Sequence, residues 1–493
     1  MPRKAVVVGA GPVGCLAALS LAKMGWIVEI YEARPDIRLP SSQASLARRS
    51  INLAISSRGI AALQAVDSDM ASRFLETVIP MKGRYLHDER GRESVQLYDS
   101  TGQCINSIDR GLLNKGLLDK VSSTENISVF FEHKLATADF DARVLKFESG
   151  RGDHMRIVQV PFDFCVGADG SYSNVRRQLM RVIRMDFHQE YIPHDYLELH
   201  IPATFDAAGT PQYRIDPNYL HIWPRHSFML IALPNKDKTF TCTLFAPTQD
   251  LDKLSDRTAV LEWFRIQFPD IIPLVGEERL WDDFSRNPRS SLICIKAKPY
   301  HYKDRVLILG DAAHSMVPFY GQGLNCGFED VRVLETLIRE EKVDSQMLPA
   351  GVAVDDRLAK ALDRYSATRH PDLVAICDLA MDNYVEMRHS VVTPLYRIRK
   401  RLDEFLSAFT PHRPSEETKE QLARTAFPSP SAGGWLSLYA MVTFRPDLSY
   451  ATARRQAQWQ TRTLNTSGWV AAVCGILGVG MFAVRSGLFV TRR

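Results

Sequence analysis

The residues with the clearest chemistry are three glycines near the start of the chain. Gly9, Gly11 and Gly14 form a GxGxxG sequence between an apolar strand-like run, 5–8, and a helical run, 13–24. In a strand–turn–helix unit the first glycine permits the tight turn and the second leaves room for a pyrophosphate. The third lets the helix pack closely on the strand. The free N–H groups at the helix start then bind phosphate oxygens, so this segment predicts dinucleotide binding.

An acidic residue strengthens this interpretation. Glu32 follows a second strand-like run, 27–31. A carboxylate at this position accepts hydrogen bonds from ribose hydroxyls, which turns a weak glycine motif into a strong one. The same negative charge disfavours a 2′-phosphate, so NADPH is not expected in this cleft. FAD and NAD both remain possible at this point.

Two downstream segments favour FAD. Asp311 lies in LGDAAH, directly after the apolar run 306–309, and 318–325 reads PFYGQGLN ahead of a helical run. The carboxylate is placed to meet a ribityl chain or a pyrophosphate. N–H groups at a glycine-rich helix start suit the flavin pyrimidine oxygens, where negative charge grows on reduction. Asp169, in GADGSYSNVR, ends another strand. Together the segments predict bound FAD.

Composition excludes several other classes of protein. The chain has 493 residues and is 45% hydrophobic, and this length suits two or three domains. Its net charge is only +4, which does not indicate a nucleic-acid-binding patch. Eight cysteines without a CxxC pair argue against a disulfide framework and a zinc site, and we predict no metal. The basic, apolar N-terminus resembles a signal peptide, but the glycines interrupt it and no small-residue cleavage site follows.

The pattern along the chain predicts a discontinuous α/β fold. Residues 1–185 and 296–350 are expected to form a Rossmann-type FAD-binding domain. Long alternating runs in 186–295 predict an antiparallel β-sheet that serves as the substrate domain. Residues 351–464 are mostly helical in pattern, and 465–493 form a separate apolar tail.

The tail predicts a membrane helix. Residues 468–490 contain one charge, Arg485, and arginines flank the run on both sides. Twenty-three helical residues would span about 34 Å, which exceeds the roughly 30 Å hydrocarbon core of a bilayer. The alternative is a helix buried at the end of the globular part. We favour a membrane anchor, with the bilayer as a partner.

The three cofactor segments, in this order, resemble the FAD-dependent aromatic hydroxylases, which are single-component flavoprotein monooxygenases. Their motifs GxGxxG, DGxxSxxR and GDAAHxxxP all match. Five further segments narrow the resemblance to members that hydroxylate L-kynurenine at ring carbon 3 with NADPH and O₂, in tryptophan breakdown towards NAD. These segments are RRSINLA at 48–54, SIDR at 107–110, FYGQGLN at 319–325, NYVEMR at 383–388 and LYAMVTF at 438–444. The resemblance extends over nearly the whole chain.

The resemblance also implies roles for individual residues. Arg84 and Tyr98 are expected to hold the substrate carboxylate, with Asn383 and Tyr439 completing the polar clamp. Taken alone, these four would be interpreted as surface, packing or capping residues. The implied FAD contacts are Val13, Tyr31, Glu32, Ala33, Arg34, Ala54, Arg110, Leu135, Asp169, Asp311, Leu324 and Asn325.

We predict no dedicated catalytic acid or base, because the flavin carries out the difficult chemistry. Phe319, Tyr320 and Gln322 are expected nearest the reacting face, and His314 is expected to order the loop beside Asp311. Tyr320 and Leu324 depart from the commoner family residues, Phe or His and Met respectively. These changes would alter pocket polarity or substrate fit but not the cofactor.

Two other functions stay open at this stage. One is a different flavin hydroxylase or epoxidase, and the other is a non-catalytic escort protein that keeps the dinucleotide fold. The expected location is the mitochondrial outer membrane, with the catalytic part facing the cytosol. The expected partners are L-kynurenine, NADPH and the lipid bilayer, without nucleic acid.

Overall fold

A mostly parallel sheet forms the centre of the nucleotide-binding region. The computed structural model describes residues 1–42, 52–99, 102–150, 155–347, 353–410, 421–422 and 424–466. From one edge to the other the strands are His301–Tyr302, Val306–Ile308, Phe164–Gly167, Lys4–Val8, Ile27–Tyr31 and Ile127–Phe130. All neighbours pair in parallel except the first two. The central strands are apolar without alternation because both faces are covered.

Helices pack against this sheet and against one another. Pro12–Lys23 is rich in alanine and leucine, begins with a proline in its first turn, and is buried from Gly14 to Ala22. It contacts Gly323–Glu340 and Arg110–Ser122. Ser57–Val66 also packs on Gly323–Glu340. The start of Pro12–Lys23 is therefore held firmly at the end of strand Lys4–Val8.

A seven-stranded sheet lies beside the nucleotide-binding region. Its strands in order are Ser290–Lys298, Asp186–Ile201, Phe240–Pro247, Phe228–Pro234, Tyr219–Arg225, Gly83–His87 and Glu93–Leu97. The last two strands come from the part of the sequence that we assigned to the nucleotide domain. Gly83–His87 pairs in parallel with Tyr219–Arg225, and the other pairs are antiparallel.

Helices also cover part of this sheet, in a stretch of the sequence that we assigned to the β-sheet domain 186–295 without predicting helices there. Arg257–Gln267, Ile271–Val275 and Glu277–Arg286 share an apolar cluster with the sheet. The cluster includes Trp223 from a strand and Phe264 from a helix, both fully buried.

Smaller elements complete the described chain. The other strands are Asn52–Ile55, Ile79–Met81, Ile105–Asp109, His133–Asp139, Val144–Ser149, Arg156–Pro161, Thr204–Phe205 and Pro211–Gln212. The other helices before residue 350 are Ser68–Thr77, Asn174–Leu179, Thr248–Leu251, Asp311–His314 and the 3₁₀ turn Pro318–Tyr320.

The C-terminal part is helical, as its pattern indicates. It comprises Asp356–Arg388, the 3₁₀ turn Ser390–Val392, Pro394–Ala408, Leu438–Phe444 and a helical run over 450–466. Asp356–Arg388 packs on the 3₁₀ turn Pro318–Tyr320 and on the seven-stranded sheet. Within the described ranges, no helix has the length and apolar character that crossing a bilayer requires. The predicted membrane helix, 468–490 within the anchor segment 465–493, lies outside the described residues.

A buried histidine pair predicts a pH-dependent stability. His87 Nε2 and His221 Nδ1 lie 2.9 Å apart in adjacent strands, and burial lowers the pKa of each ring to about 4. Unfolded histidines bind protons near pH 6.5, so between pH 6.5 and 4 the unfolded chain holds more protons. Stability should therefore fall as pH drops through this window, by at most about 1.4 kcal/mol per pH unit for each ring.

Thermal unfolding across this pH range tests the pair. A His87→Phe/His221→Phe variant keeps the aromatic packing and removes both titrating groups, so its melting temperature should depend less on pH. Identical pH profiles for the variant and the parent would show that the pair contributes nothing.

Candidate active site

The three predicted cofactor segments meet at one edge of the parallel sheet. They follow strands Lys4–Val8, Phe164–Gly167 and Val306–Ile308, which are direct neighbours. The Ala168 N–H donates to the Val8 carbonyl at 2.8 Å, and the Leu309 N–H donates to the Gly167 carbonyl at 2.9 Å. The carboxyl ends of parallel strands share one edge, so the loops after them form a single site.

The helix start in this site has room for a phosphate group. A methyl group on Gly11 would meet no described atom within 4 Å, and no side chain caps helix Pro12–Lys23. By contrast, a methyl group on Gly14 would lie 2.0 Å from the Gly9 carbonyl oxygen. Gly14 is therefore needed for packing, whereas Gly11 borders open space where N–H groups face outward. This space fits the pyrophosphate of FAD.

Glu32 is held at the rim of this space. Its carboxylate accepts hydrogen bonds from the Ala10 N–H at 2.8 Å and from the Arg34 side chain at 2.8 Å. Burial alone would raise the pKa of Glu32, but the hydrogen bonds from Arg34 and Ala10 outweigh it and lower the pKa. The side chain is therefore an anion that can accept hydrogen bonds from a ribose.

The other two acidic residues differ in what they contact. Asp169 accepts hydrogen bonds from the Ser173 hydroxyl at 2.5 Å and the Asn174 N–H at 2.6 Å. It therefore stabilises the start of helix Asn174–Leu179, whose N-cap residue is Ser173. Burial raises its pKa. Asp311 is exposed at the start of Asp311–His314, where it is available to a ligand.

His314 is part of a buried ionic network. Its Nε2 lies 2.5 Å from Asp330, which also accepts two hydrogen bonds from Arg369. Burial would raise the pKa of Asp330, but His314 and Arg369 lower it to about 2. His314, Cys326 and Asp330 are close enough to surround a metal ion. The Arg369 guanidinium already supplies the positive charge there, so this cluster supports loop order.

The remaining implied FAD contacts fall into three groups. The Tyr31 and Leu135 side chains are buried in the core, with the Tyr31 ring stacked 4.2 Å from that of Phe147. Their side chains therefore face away from the groove. Exposed positions are Ala33, Arg34 and Arg110, and the half-buried ones are Val13, Ala54 and Leu324. These assignments stay predictions.

Asn325 joins two parts of the site. Its side chain donates to the carbonyls of Ala54 and Gly321, both at 2.8 Å, and accepts from the Ser56 N–H at 2.9 Å. Asn325 is fully buried. It therefore fixes strand Asn52–Ile55 against the glycine-rich loop that precedes helix Gly323–Glu340.

A cavity lies next to this junction, between the seven-stranded sheet, the strands Asn52–Ile55 and Ile105–Asp109, and helix Asp356–Arg388. Its lining is mainly apolar and aromatic, with one guanidinium. The lining residues are Asn52, Ala54, Arg84, Ile105, Tyr196, Leu220, Ile231, Leu233, Thr243, Phe245, Pro318, Phe319, Tyr320, Gly321, Asn383, Met387 and Tyr439. Three of the four predicted substrate residues are in this set, and the fourth, Tyr98, stacks on Tyr439 at 4.7 Å.

Arg84 is the charged centre of the cavity. It is 5% exposed, and its Nη1 lies 2.7 Å from the Glu386 carboxylate. Its Nη2 donates to the Asn383 amide oxygen at 3.4 Å, and its guanidinium carbon lies 5.1 Å from the centre of the Tyr439 ring. Burial would lower the pKa of Arg84, but the Glu386 charge outweighs it and raises the pKa well above its usual value.

Aromatic rings build the walls around this charge. Tyr439 lies between the parallel rings of Tyr98 and Tyr320, the latter at 5.8 Å. Phe319 stacks on Tyr384 at 3.8 Å. Burial raises the pKa of Tyr98, Tyr320 and Tyr439, so all three hydroxyls stay protonated at neutral pH.

The structure adds Glu386 and Tyr396 to the predicted clamp and places Gln322 outside the cavity. Glu386 pairs with Arg84, and the Tyr396 hydroxyl donates to Glu386 at 3.0 Å. Glu386 lies three residues after Asn383 on one helix, a spacing that places both on one face and could have revealed it. Gln322 does not line the cavity: it is buried and accepts a hydrogen bond from Tyr450.

Sequence comparisons identify relatives of this arrangement. Residues 3–378 match the family model described as an FAD binding domain. Kynurenine 3-monooxygenase of Cryptococcus neoformans var. neoformans serotype D (strain B-3501A) is 45% identical over 497 residues, covering 98% of this chain and 97% of that protein. The enzyme of that name from Yarrowia lipolytica (strain CLIB 122 / E 150) is 43% identical, covering 96% of each chain. The chain belongs to the kynurenine 3-monooxygenase family. Membership confirms the prediction of a flavin-dependent monooxygenase that binds FAD.

Solved structures of two oxygenases share the fold of this chain. A tetrameric 2-methyl-3-hydroxypyridine-5-carboxylic acid oxygenase aligns with a TM-score of 0.61 at 18% identity, over 81% of this chain and 96% of its own. The p-nitrophenol 4-monooxygenase PnpA from Pseudomonas putida DLL-E4 aligns with a TM-score of 0.58 at 17% identity, over 82% and 94%.

Proposed function

We propose that this member of the kynurenine 3-monooxygenase family hydroxylates L-kynurenine at ring carbon 3. In this reaction NADPH is oxidised, one atom of O₂ enters the ring and the other leaves as water. The observation that carries the proposal is the buried Arg84 guanidinium in an aromatic cavity that adjoins the FAD-binding loops. A small aromatic amino acid needs both an apolar cavity and a fixed charge for its carboxylate.

The charges of the clamp match those of an amino acid. Kynurenine carries a carboxylate and an ammonium group on the same carbon. Arg84 can bind the carboxylate, and Glu386, which is about one-third exposed, can bind the ammonium group. Without substrate the two residues neutralise each other, which avoids an isolated buried charge. Asn383 and Tyr98 border the same position.

The groove at the sheet edge would hold the cofactor. Glu32 would bind the ribose, the helix start at Gly11 would bind the pyrophosphate, and Asp311 would meet the groups that lie between pyrophosphate and flavin. When bound there, FAD would supply the activation of O₂, with NADPH as the source of electrons. The chain's own residues position the ring and exclude water: Phe319 and Tyr320 form the cavity wall beside the glycine-rich loop.

No cavity side chain is required as a base. The kynurenine amino group, ortho to carbon 3, already makes that carbon electron-rich. The tyrosine hydroxyls that surround the cavity have raised pKa values and hold their protons. The cavity therefore acts chiefly through orientation.

Product analysis tests the proposed reaction. We expect NADPH oxidation by the purified yellow protein to be slow without L-kynurenine and fast with it, with 3-hydroxykynurenine formed in equal amount. Hydroxylation of another aromatic compound but not of kynurenine would instead support the broader hydroxylase alternative. A colourless protein without flavin would support the escort alternative.

Tyr320 is expected to tune substrate binding only modestly. Its ring lines the cavity, and Tyr320→Phe removes one buried hydroxyl and keeps the ring. A single hydrogen bond contributes about 0.5–1.5 kcal/mol, so the KM for kynurenine should change by no more than about tenfold. FAD content, read from the flavin absorbance, should be unchanged. Loss of FAD from this variant would show that Tyr320 supports the cofactor.

The membrane anchor remains part of the proposal. Its support is the apolar sequence 468–490 and the basic residues on both sides of it. The proposed location is the mitochondrial outer membrane, with the catalytic part in the cytosol. Removal of 465–493 should shift the protein from the membrane fraction to the soluble fraction, with kynurenine hydroxylation retained. Continued membrane binding would assign the attachment to another surface.

A further inference from the structure

Helix Pro394–Ala408 exposes its apolar side chains. Every third or fourth residue along this helix and just beyond it is apolar, which places these residues in one stripe. The apolar stripe consists of Leu395, Ile398, Leu402, Phe405 and Phe409, which are between 37% and 78% exposed. No residue of the helix is buried. An exposed apolar patch of this kind marks a surface that binds a membrane or another molecule.

The opposite side of the same helix is polar and faces the protein. The Tyr396 hydroxyl donates to Glu386 at 3.0 Å, and the Lys400 ammonium donates to the Leu97 carbonyl at 2.7 Å. Asp403 accepts from the Trp435 indole at 2.8 Å. A helix on a water-facing surface has the reverse arrangement, with its apolar side inward. The apolar stripe is therefore not explained by packing within the described chain.

The charges beside the stripe are mainly positive. Arg397 and Arg401 are four residues apart and run along one border. On the other border Arg399 pairs with Asp403 at 3.0 Å. The helix contains four basic and two acidic residues. An apolar stripe bordered by arginines is typical of helices that lie in the plane of an anionic membrane surface.

The position of the helix agrees with such a surface. Trp435, which binds Asp403, has its ring centre 6.2 Å from that of Trp459 in the helical run 450–466. Trp459 is 58% exposed. From Trp459 to residue 466 a helix rises only about 10 Å. The described helical run therefore ends within about 10 Å of Trp459, which neighbours helix Pro394–Ala408 through Trp435.

We propose that the apolar stripe and Trp459 lie in the headgroup region of an anionic bilayer, with the arginines contacting lipid phosphates. This inference rests on the proposed anchor in 465–493, since the anchor brings the stripe to the membrane. Tyr396 of the same helix donates a hydrogen bond to Glu386, so the bilayer adjoins the outer end of the substrate clamp.

Site-specific photocrosslinking in the full-length protein tests this contact. Phe405→p-benzoylphenylalanine places a reactive ketone on the stripe with little change in shape. The matched control is Phe205→p-benzoylphenylalanine, at a residue that is 67% exposed in the hairpin Thr204–Phe205/Pro211–Gln212. Each protein is reconstituted in vesicles of phosphatidylcholine and phosphatidylserine, at about four to one, and irradiated. Flotation measures anchoring, and mass spectrometry identifies the crosslinked molecule.

Lipid adducts at 405 but not at 205 are expected. Changing Arg397 and Arg401 to alanine should lower the adduct yield, by about fivefold for each arginine. Protein that floats with vesicles but forms no lipid adduct at 405 overturns the inference and leaves the anchor standing. Crosslinks from 405 to a second chain, with or without vesicles, show a protein interface and also overturn it. Protein that does not float refutes both the anchor and the contact, whereas kynurenine hydroxylation in the same sample reports separately on the proposed reaction.

Discussion

Replacement of Arg84 by methionine is expected to raise the KM for L-kynurenine at least about a hundredfold. The guanidinium is the single positive charge in the cavity lining of the described chain, and it is almost completely buried. A charge-assisted, bidentate contact to a carboxylate in such a place contributes about 3 kcal/mol or more. Methionine has similar length and no charge, so the cavity keeps its volume. Steady-state kinetics with kynurenine and NADPH gives the measurement.

The design separates binding from folding. Arg225 is the control, because it is equally buried in the same sheet but donates to the carbonyls of Gln267 and His87 away from the cavity. Arg225→Met should lower the melting temperature and leave the KM nearly unchanged. Arg84→Lys should recover only part of the affinity, since an ammonium group cannot form the paired contact. An unchanged KM in Arg84→Met would remove the clamp from the mechanism.

Glu386 affects how a KM change in Arg84→Met is interpreted. Removing Arg84 leaves the Glu386 carboxylate without its partner, so part of any effect reflects an unpaired charge. Glu386→Gln and the double variant complete a thermodynamic cycle. If Glu386 binds the substrate ammonium group, Glu386→Gln alone should also raise the KM. If it only neutralises Arg84, the double variant should be no worse than Arg84→Met.

The sequence was informative where function depends on local structure. The three cofactor segments could be placed together because each follows a short apolar strand, and the carboxyl ends of buried parallel strands share an edge. The turn and the close packing around Gly9 and Gly14 are likewise local requirements. The C-terminal helices could be predicted from their periodicity.

The sequence was less informative where distant segments pair. Strand Gly83–His87 joins Tyr219–Arg225, more than 130 residues later, and this pairing carries Arg84 into the cavity. No local pattern in 79–97 specifies that partner. Arg84 and Tyr98 were therefore indicated only by family resemblance, and Tyr396, which contacts Glu386 from a third element, was not predicted.

The mixed region 248–286 shows a second limit. It was assigned with the rest of 186–295 to the β-sheet domain, on the strength of the alternating runs that precede it. Helix Arg257–Gln267 buries only Val260, Leu261 and Phe264, a narrow stripe that short windows do not distinguish from a strand. The seven-stranded sheet determines that this region is helical, because the apolar outer face of the sheet must be buried and the helices bury it.

Alanine at Gly11 is expected to weaken FAD binding about ten- to a hundredfold without destabilising the protein. The Gly11 backbone has φ of −70°, which any residue adopts, and the added methyl group meets no described atom within 4 Å. The fold therefore tolerates alanine. The methyl group would project into the space assigned to the pyrophosphate, where overpacking costs about 1–3 kcal/mol. Titration of the apoprotein with FAD, followed by flavin fluorescence, measures the affinity.

Gly14→Ala is the contrasting variant. Its methyl group would lie 2.0 Å from the Gly9 carbonyl oxygen, and backbone on both sides cannot move aside cheaply. This variant should lower the melting temperature of the apoprotein, whereas Gly11→Ala should not. The opposite pattern, with Gly11→Ala unstable in the apoprotein, would mean that the space beside Gly11 is filled by the chain itself. Unchanged FAD affinity in a stable Gly11→Ala protein would place the pyrophosphate elsewhere. Only a cofactor lying over Gly11 and beside a packed Gly14 gives loss of binding in one variant and loss of stability in the other.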